Sequence, residues 1–145
     1  MVAPMRNLLL VTLLGLATAS GCAKTESKLT DTTETAKVPM VTVEQVDQAL
    51  AKNAAQAVDA NGTETRKKLG VVPGAILLSD GKDTLDPKEL PADKSKELVF
   101  YCANTHCGAS HHAAAEAITA GYTNVKVMPE GIAGWVAAGK KTQSI

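Results

Sequence analysis

The run Leu98-Val99-Phe100-Tyr101 is the strongest strand signal in the chain: four consecutive residues of high β propensity or apolar character. It ends at Cys102, crosses a short loop and gives way to an Ala-rich helix over residues 109–120, stopped by Gly121. A strong strand feeding a helix is half of a parallel crossover unit, which constrains everything around it.

The flanking segments repeat that alternation. Val41-Thr42-Val43 predicts a short strand running into a helix. There Thr42 and Gln45 fit a capping box, and Val46, Leu50 and Ala54 share a face. Ala57-Val58-Asp59-Ala60 predicts a strand ending in a carboxylate. Asn61-Gly62 is turn chemistry, and residues 63–68 present the polar face of a helix closed by Gly70. After the Val71-Val72-Pro73-Gly74 turn, Ala75-Ile76-Leu77-Leu78 predicts a buried strand, Val125-Lys126-Val127 another, and residues 132–138 a last helix with Gly139 beyond it. The expected class is α/β, a three-layer sandwich with a parallel sheet and helices on both faces.

At 145 residues one domain is expected, preceded by export machinery. Arg6, the apolar run over residues 8–17 and the small residues Ala19-Ser20-Gly21 read as a signal peptide over residues 1–21. The apolar stretch falls short of the ~20 residues that span a bilayer. The triplet precedes Cys22 as in a bacterial lipobox, with Ala19 where Leu is commonest. Cys22 is therefore the expected lipid-attachment site and mature N-terminus, and the expected location is the bacterial cell envelope, lipid-anchored or periplasmic. The plain alternative is a secreted protein cut nearby. Residues 22–39 are polar, Thr-rich and without apolar periodicity, so they read as a tether, and residues 40–145 as the folded domain. Charge is balanced at 15 basic against 15 acidic residues, and losing Arg6 leaves 14 against 15; no basic excess points to nucleic acid.

In a parallel sheet, ligands bind beyond the carboxyl ends of the strands. That singles out the loop Cys102-Ala103-Asn104-Thr105-His106-Cys107-Gly108 before the helix. Backbone N–H groups wrapping such a loop can form an anion nest, and the helix N-terminus adds a positive dipole end. Both favour a thiolate on Cys102, the nucleophilic form. A buried cysteine at a strand end is the bland reading of the same position.

Five ordered segments are similar to the rhodanese family, over residues 41–141. Asp59 resembles its strand-ending Asp. The stretch from Gly70 to Leu77 resembles the Gly-His-Ile-Pro-Gly-Ala-type segment, and Val99-Phe100-Tyr101-Cys102 the strand leading to the nucleophile. Residues 120–127 resemble the strand after the active-site helix, and Glu130-Gly131-Ile132-Ala133-Gly134-Trp135 the closing Gly-Gly-x-x-x-Trp motif. The resemblance implies five parallel strands and a catalytic Cys102. That cysteine would accept sulfane sulfur as a persulfide from a small donor and pass it to a thiol or cyanide, with no cofactor and no metal.

The departures shape the substrate. The family loop is Cys-x-x-Gly-x-Arg-Ser; here Ser110 lies eight residues after Cys102, and no Arg stands in the loop. His106 and Cys107 occupy its middle. An Arg fork holds sulfonate-type anions in two-pronged fashion, whereas a His charge depends on pH. A persulfide or polysulfide donor is therefore expected over thiosulfate. Asn61 stands where many relatives carry Arg. Asp59 is expected to bond loop backbone rather than react, Trp135 to anchor the core, and His111 and His112 to face solvent because adjacent helix positions diverge. Two function classes follow. One is a sulfurtransferase with Cys107 as resolving thiol. The other is a non-catalytic redox or soft-metal module using Cys102 and Cys107.

Overall fold

The computed structural model describes residues 37–79 and 84–145. Cys22, the signal segment and most of the tether lie outside the described residues. Four parallel strands form one sheet: β1 (Ala55–Asp59), β2 (Ile76–Leu77), β3 (Glu97–Tyr101) and β4 (Val125–Val127), in the order β2-β1-β3-β4. Among the described residues the helices are α1 (Val43–Ala51), α2 (Thr63–Leu69), α3 (Ala109–Thr119) and α4 (Gly131–Ala137), with a 3-10 turn at Pro87–Glu89.

The expected fifth strand at residues 41–43 is reduced to one parallel bridge, Met40 to Val127. The capping box is the reason. Thr42 N–H donates to Gln45 Oε1 at 2.9 Å and Gln45 N–H to Thr42 Oγ1 at 3.3 Å, so the helix starts at Val43 and takes the residues a strand would use. The same helix ends at Ala51, before Ala54, because the chain turns at Asn53 with φ 53° and Ala54 N–H closes back on Ala49 O. β2 is also not the buried strand its composition suggests. It is an edge strand of two residues, with Ile76 half-buried and Leu77 exposed.

Alternation along the central strand builds two cores. Leu98 and Phe100 face a cluster with Val58, Val125, Val127 and the alanines Ala113, Ala114 and Ala117 of α3. Val99 and Tyr101 face the other way, toward Val43 and Val46 of α1 and Ile132 and Trp135 of α4. Side chains of period two on a sheet covered by helices on both faces give the three layers. Each of these large buried apolar side chains contributes about 1.5–3 kcal/mol. Alanines let α3 sit close to the sheet, and its N-terminus is thereby brought to the carboxyl end of β3. Trp135 is the anchor expected: it is buried, and its Nε1–H donates to Lys141 O at 2.8 Å. Among the described residues, no helix is long and apolar enough to cross a membrane.

Candidate functional site

β3 ends by handing Cys102 to a loop that neighbouring elements hold from three sides. Ala60 N–H, just past β1, donates to Tyr101 O at 2.9 Å. From α4, Ile132 N–H donates to Cys102 O at 2.8 Å and Ala133 N–H to Ala103 O at 3.0 Å. Gly131 makes that approach possible. Its φ is +62°, and a Cβ there would stand 2.5 Å from Cys102 O, a distance no side chain tolerates. α3 closes the third side through Ser110, whose Oγ lies 3.3 Å from Cys102 Sγ.

Within this frame Cys102 is 1% exposed, and Cys107 Sγ lies against its sulfur as a disulfide with the Cα atoms 6.3 Å apart. That separation is inside the range a disulfide spans, so the loop joins the two cysteines without backbone rearrangement. Cys107 O is 3.2 Å from Cys102 Sγ. In the bridged state that sulfur has no proton to give, and in the thiol state it can donate to this carbonyl.

Two of the loop N–H groups expected to converge on Cys102 are engaged elsewhere. His106 N–H donates to Asn104 Oδ1 at 3.0 Å and Cys107 N–H to Asn104 O at 3.1 Å. Asn104 thus takes two loop donors for a local turn. Asn104, Thr105, His106 and Gly108 are exposed, and Ala103 and Cys107 partly so. His111 and His112 are exposed on α3, with His112 Nε2 3.5 Å from Glu116 Oε1.

Asp59 is fully buried at the end of β1, level with Tyr101 in the sheet. Its Oδ1 accepts from Asn61 N–H at 2.7 Å, the backbone role expected for it. It also accepts from Arg66 Nε at 3.2 Å. Arg66 was expected on the polar face of its helix. Instead it is 5% exposed, and its Nη2 donates to Asp59 O at 3.0 Å and to Leu78 O at 2.9 Å. The guanidinium therefore ties the ends of β1 and β2 together. A helix of seven residues with three basic side chains carries no mark of which one turns inward; the buried Asp59 charge selects it. Asn61 is buried as well, and its Nδ2 has no partner among the described residues. Tyr101, beneath the loop, accepts from Val72 N–H at 3.0 Å. Burial, and then the adjacent Asp59 charge, hold its phenol far above the ordinary range, so it stays protonated.

A cysteine at the carboxyl end of the central strand of a parallel α/β domain, seated on the following helix, defines a cysteine-loop protein of the three-layer class. The Rhodanese-like domain model matches residues 42–138, and the chain belongs to that family. Solved structures agree on the fold. The BH2092 protein of Bacillus halodurans is 21% identical with a TM-score of 0.62, covering 73% of this chain and 77% of its own. The rhodanese-like domain of the Anabaena Alr3790 protein is 23% identical with a TM-score of 0.60, covering 74% and 80%. The human single-domain sulfurtransferase TSTD1 is 21% identical with a TM-score of 0.55, covering 69% and 96%. No curated protein matches the chain.

Proposed function

We propose that this protein is a sulfurtransferase that carries sulfane sulfur as a persulfide on Cys102. The observation that carries the reading is the seat of Cys102: buried at the end of β3, against Ser110 of α3, with a second cysteine sulfur on it. Rhodanese domains in general take sulfur from small donors and give it to thiols or cyanide, and TSTD1, of the same fold, is described as a sulfurtransferase. In the reduced protein the Cys102 thiolate attacks the outer sulfur of a donor R–S–SH, forming Cys102–S–SH and releasing the thiol RSH. An acceptor thiol or cyanide removes the outer sulfur. Without an acceptor, Cys107 attacks Cys102 Sγ. The bond to the outer sulfur breaks, sulfide leaves, and the Cys102–Cys107 disulfide forms.

The donor is a persulfide or polysulfide rather than thiosulfate. Loop residues 103–109 contain no Arg, and Arg66 is engaged with Asp59 and Leu78 O. A sulfonate would lack a two-pronged cationic partner. The protein works in a bacterial envelope, held there by a lipid on Cys22; this rests on the signal pattern alone. The proposed chemistry uses no cofactor.

Mass spectrometry after treatment with a persulfide donor tests the reading. Cys107→Ser is expected to gain one sulfur and hold it longer than the unaltered protein, and Cys102→Ser to gain none. Loading that survives in Cys102→Ser and disappears in Cys107→Ser reverses the roles. The adjacency of the two sulfurs favours one second reading, a dithiol–disulfide redox module without sulfur transfer. Absence of loading in both variants, with reversible oxidation of the unaltered protein, selects it. Metal content of untagged protein tests the soft-metal form of that reading.

A further inference from the structure

The disulfide is not symmetric, and the geometry points to a dithiol reductant that regenerates the site by attacking Cys107, never Cys102. The inference rests on the resolving role given above to Cys107. Cys102 is 1% exposed, whereas Cys107 reaches the surface on a loop whose neighbours Asn104, Thr105, His106 and Gly108 are exposed. Thiolate displacement at a disulfide runs along the sulfur–sulfur axis, from the side opposite the leaving sulfur. Attack on Cys107 comes from the loop side. Attack on Cys102 has to come from the side away from Cys107, where Cys102 is packed into the domain at the end of β3. Access to the sulfur, together with the quality of the leaving thiolate, decides such exchanges.

The leaving group agrees with that direction. When Cys107 is attacked, Cys102 departs as thiolate beside Ser110 Oγ at 3.3 Å and the first turn of α3, a donor and a dipole end that stabilise it. When Cys102 is attacked, Cys107, which directly precedes the Gly108 N-cap, shares that dipole end but departs on the more exposed loop, and the Ser110 hydroxyl stays on Cys102. Residues 102–112 also contain no carboxylate, so nothing in the loop repels an anionic thiol.

The step balances. One thiolate of the reductant bonds to Cys107 Sγ, the Cys102–Cys107 bond breaks, and its electron pair goes to Cys102. The second thiol of the reductant, deprotonated, attacks its own bridged sulfur and expels Cys107 as thiolate. The reductant leaves as a disulfide, having given two electrons, and its two protons leave the protein with two thiols. Cys102 emerges free and ready to accept sulfur.

The test uses the oxidised full chain with glutathione as a single-thiol probe. The reaction is quenched in acid, free thiols are alkylated, and the cysteine peptides are mapped. Glutathione is expected on Cys107 with Cys102 alkylated, in at least about tenfold excess over the reverse pattern. Equal amounts on both, or more on Cys102, overturn the assignment. So does the absence of any adduct with the disulfide intact, since neither sulfur is then open to a thiol. Ser110→Ala is expected to slow adduct formation on Cys107 by worsening the leaving group; an unchanged rate removes that part of the argument. Sulfur loading of Cys107→Ser involves no disulfide, so it reports on the sulfurtransfer reading separately.

Discussion

At the scale of single residues, the Ser110 hydroxyl is the polar side chain that sits on Cys102 Sγ besides the partner sulfur. A hydrogen bond to an ionised group contributes about 1.5–3 kcal/mol, and 1.4 kcal/mol is tenfold in an equilibrium. Reduced Ser110→Ala is therefore expected to alkylate at Cys102 about tenfold more slowly at neutral pH, read with iodoacetamide and peptide mapping. An unchanged rate means that the hydroxyl does not serve the thiolate. Cys102 itself was legible in the sequence, because a cysteine that directly follows the strongest strand has few other places to be. Ser110 was legible only as a motif residue out of register, eight positions on instead of six. The extra residues let Cys107 fold back over Cys102 while α3 still returns Ser110 to the sulfur.

At the scale of elements, the site depends on two contacts between them. The first is the approach of α4 to the Cys102 loop at Gly131. Gly131→Ala forces a left-handed φ of +62° on a residue with a Cβ and drives that Cβ into Cys102 O. The expected loss is at least about 1–3 kcal/mol in urea unfolding, together with impaired sulfur loading. A variant with unaltered stability and loading shows that α4 can retreat freely. The second is the Arg66 clamp across β1 and β2. Arg66→Met leaves Asp59 buried without its cation and is expected to cost about 3–5 kcal/mol, a large share of a small domain's stability. Adding Asp59→Asn is expected to recover part of that loss, since the stranded charge is gone. Alternation, capping and turn residues made the helices and β3 legible. Arg66 was not legible, because only packing decides which of three basic residues on a short helix turns inward.

For the whole molecule, Tyr101 ties the α1/α4 core to the turn before β2: its ring lies in that core and its hydroxyl accepts from Val72 N–H. Its phenol stays protonated in the fold at pH values where the unfolded chain releases the proton. The native state then holds the extra proton, so stability is unaffected below the ordinary phenol value near 10 and falls as pH rises beyond it. Denaturant midpoints between pH 8 and about pH 11 are expected to decline more steeply for the unaltered protein than for Tyr101→Phe. Parallel slopes indicate that other groups govern alkaline unfolding. At the same scale, the native protein is expected to begin at lipid-bearing Cys22 and to partition with membranes. Intact-mass analysis reads this, and a water-soluble species beginning elsewhere rules it out.

Local physics determined much of this protein from its sequence. The run Leu98–Tyr101 reads as a strand and Thr42 with Gln45 starts a helix, while Gly131 and Trp135 were legible through the resemblance to the family's closing motif. The strand expected at residues 41–43 failed because two local signals competed for the same residues and the capping box fixed the helix start. Composition suggested a buried strand at residues 75–78, but β2 lies at the sheet edge, and edge position is a property of the whole topology. Only the tertiary structure decided that Arg66 turns inward to Asp59 and that Asn104 takes two of the loop donors expected on Cys102. It also decided that Cys107 closes on a buried Cys102, because each depends on which surfaces the fold brings together, and residue order does not record those distances.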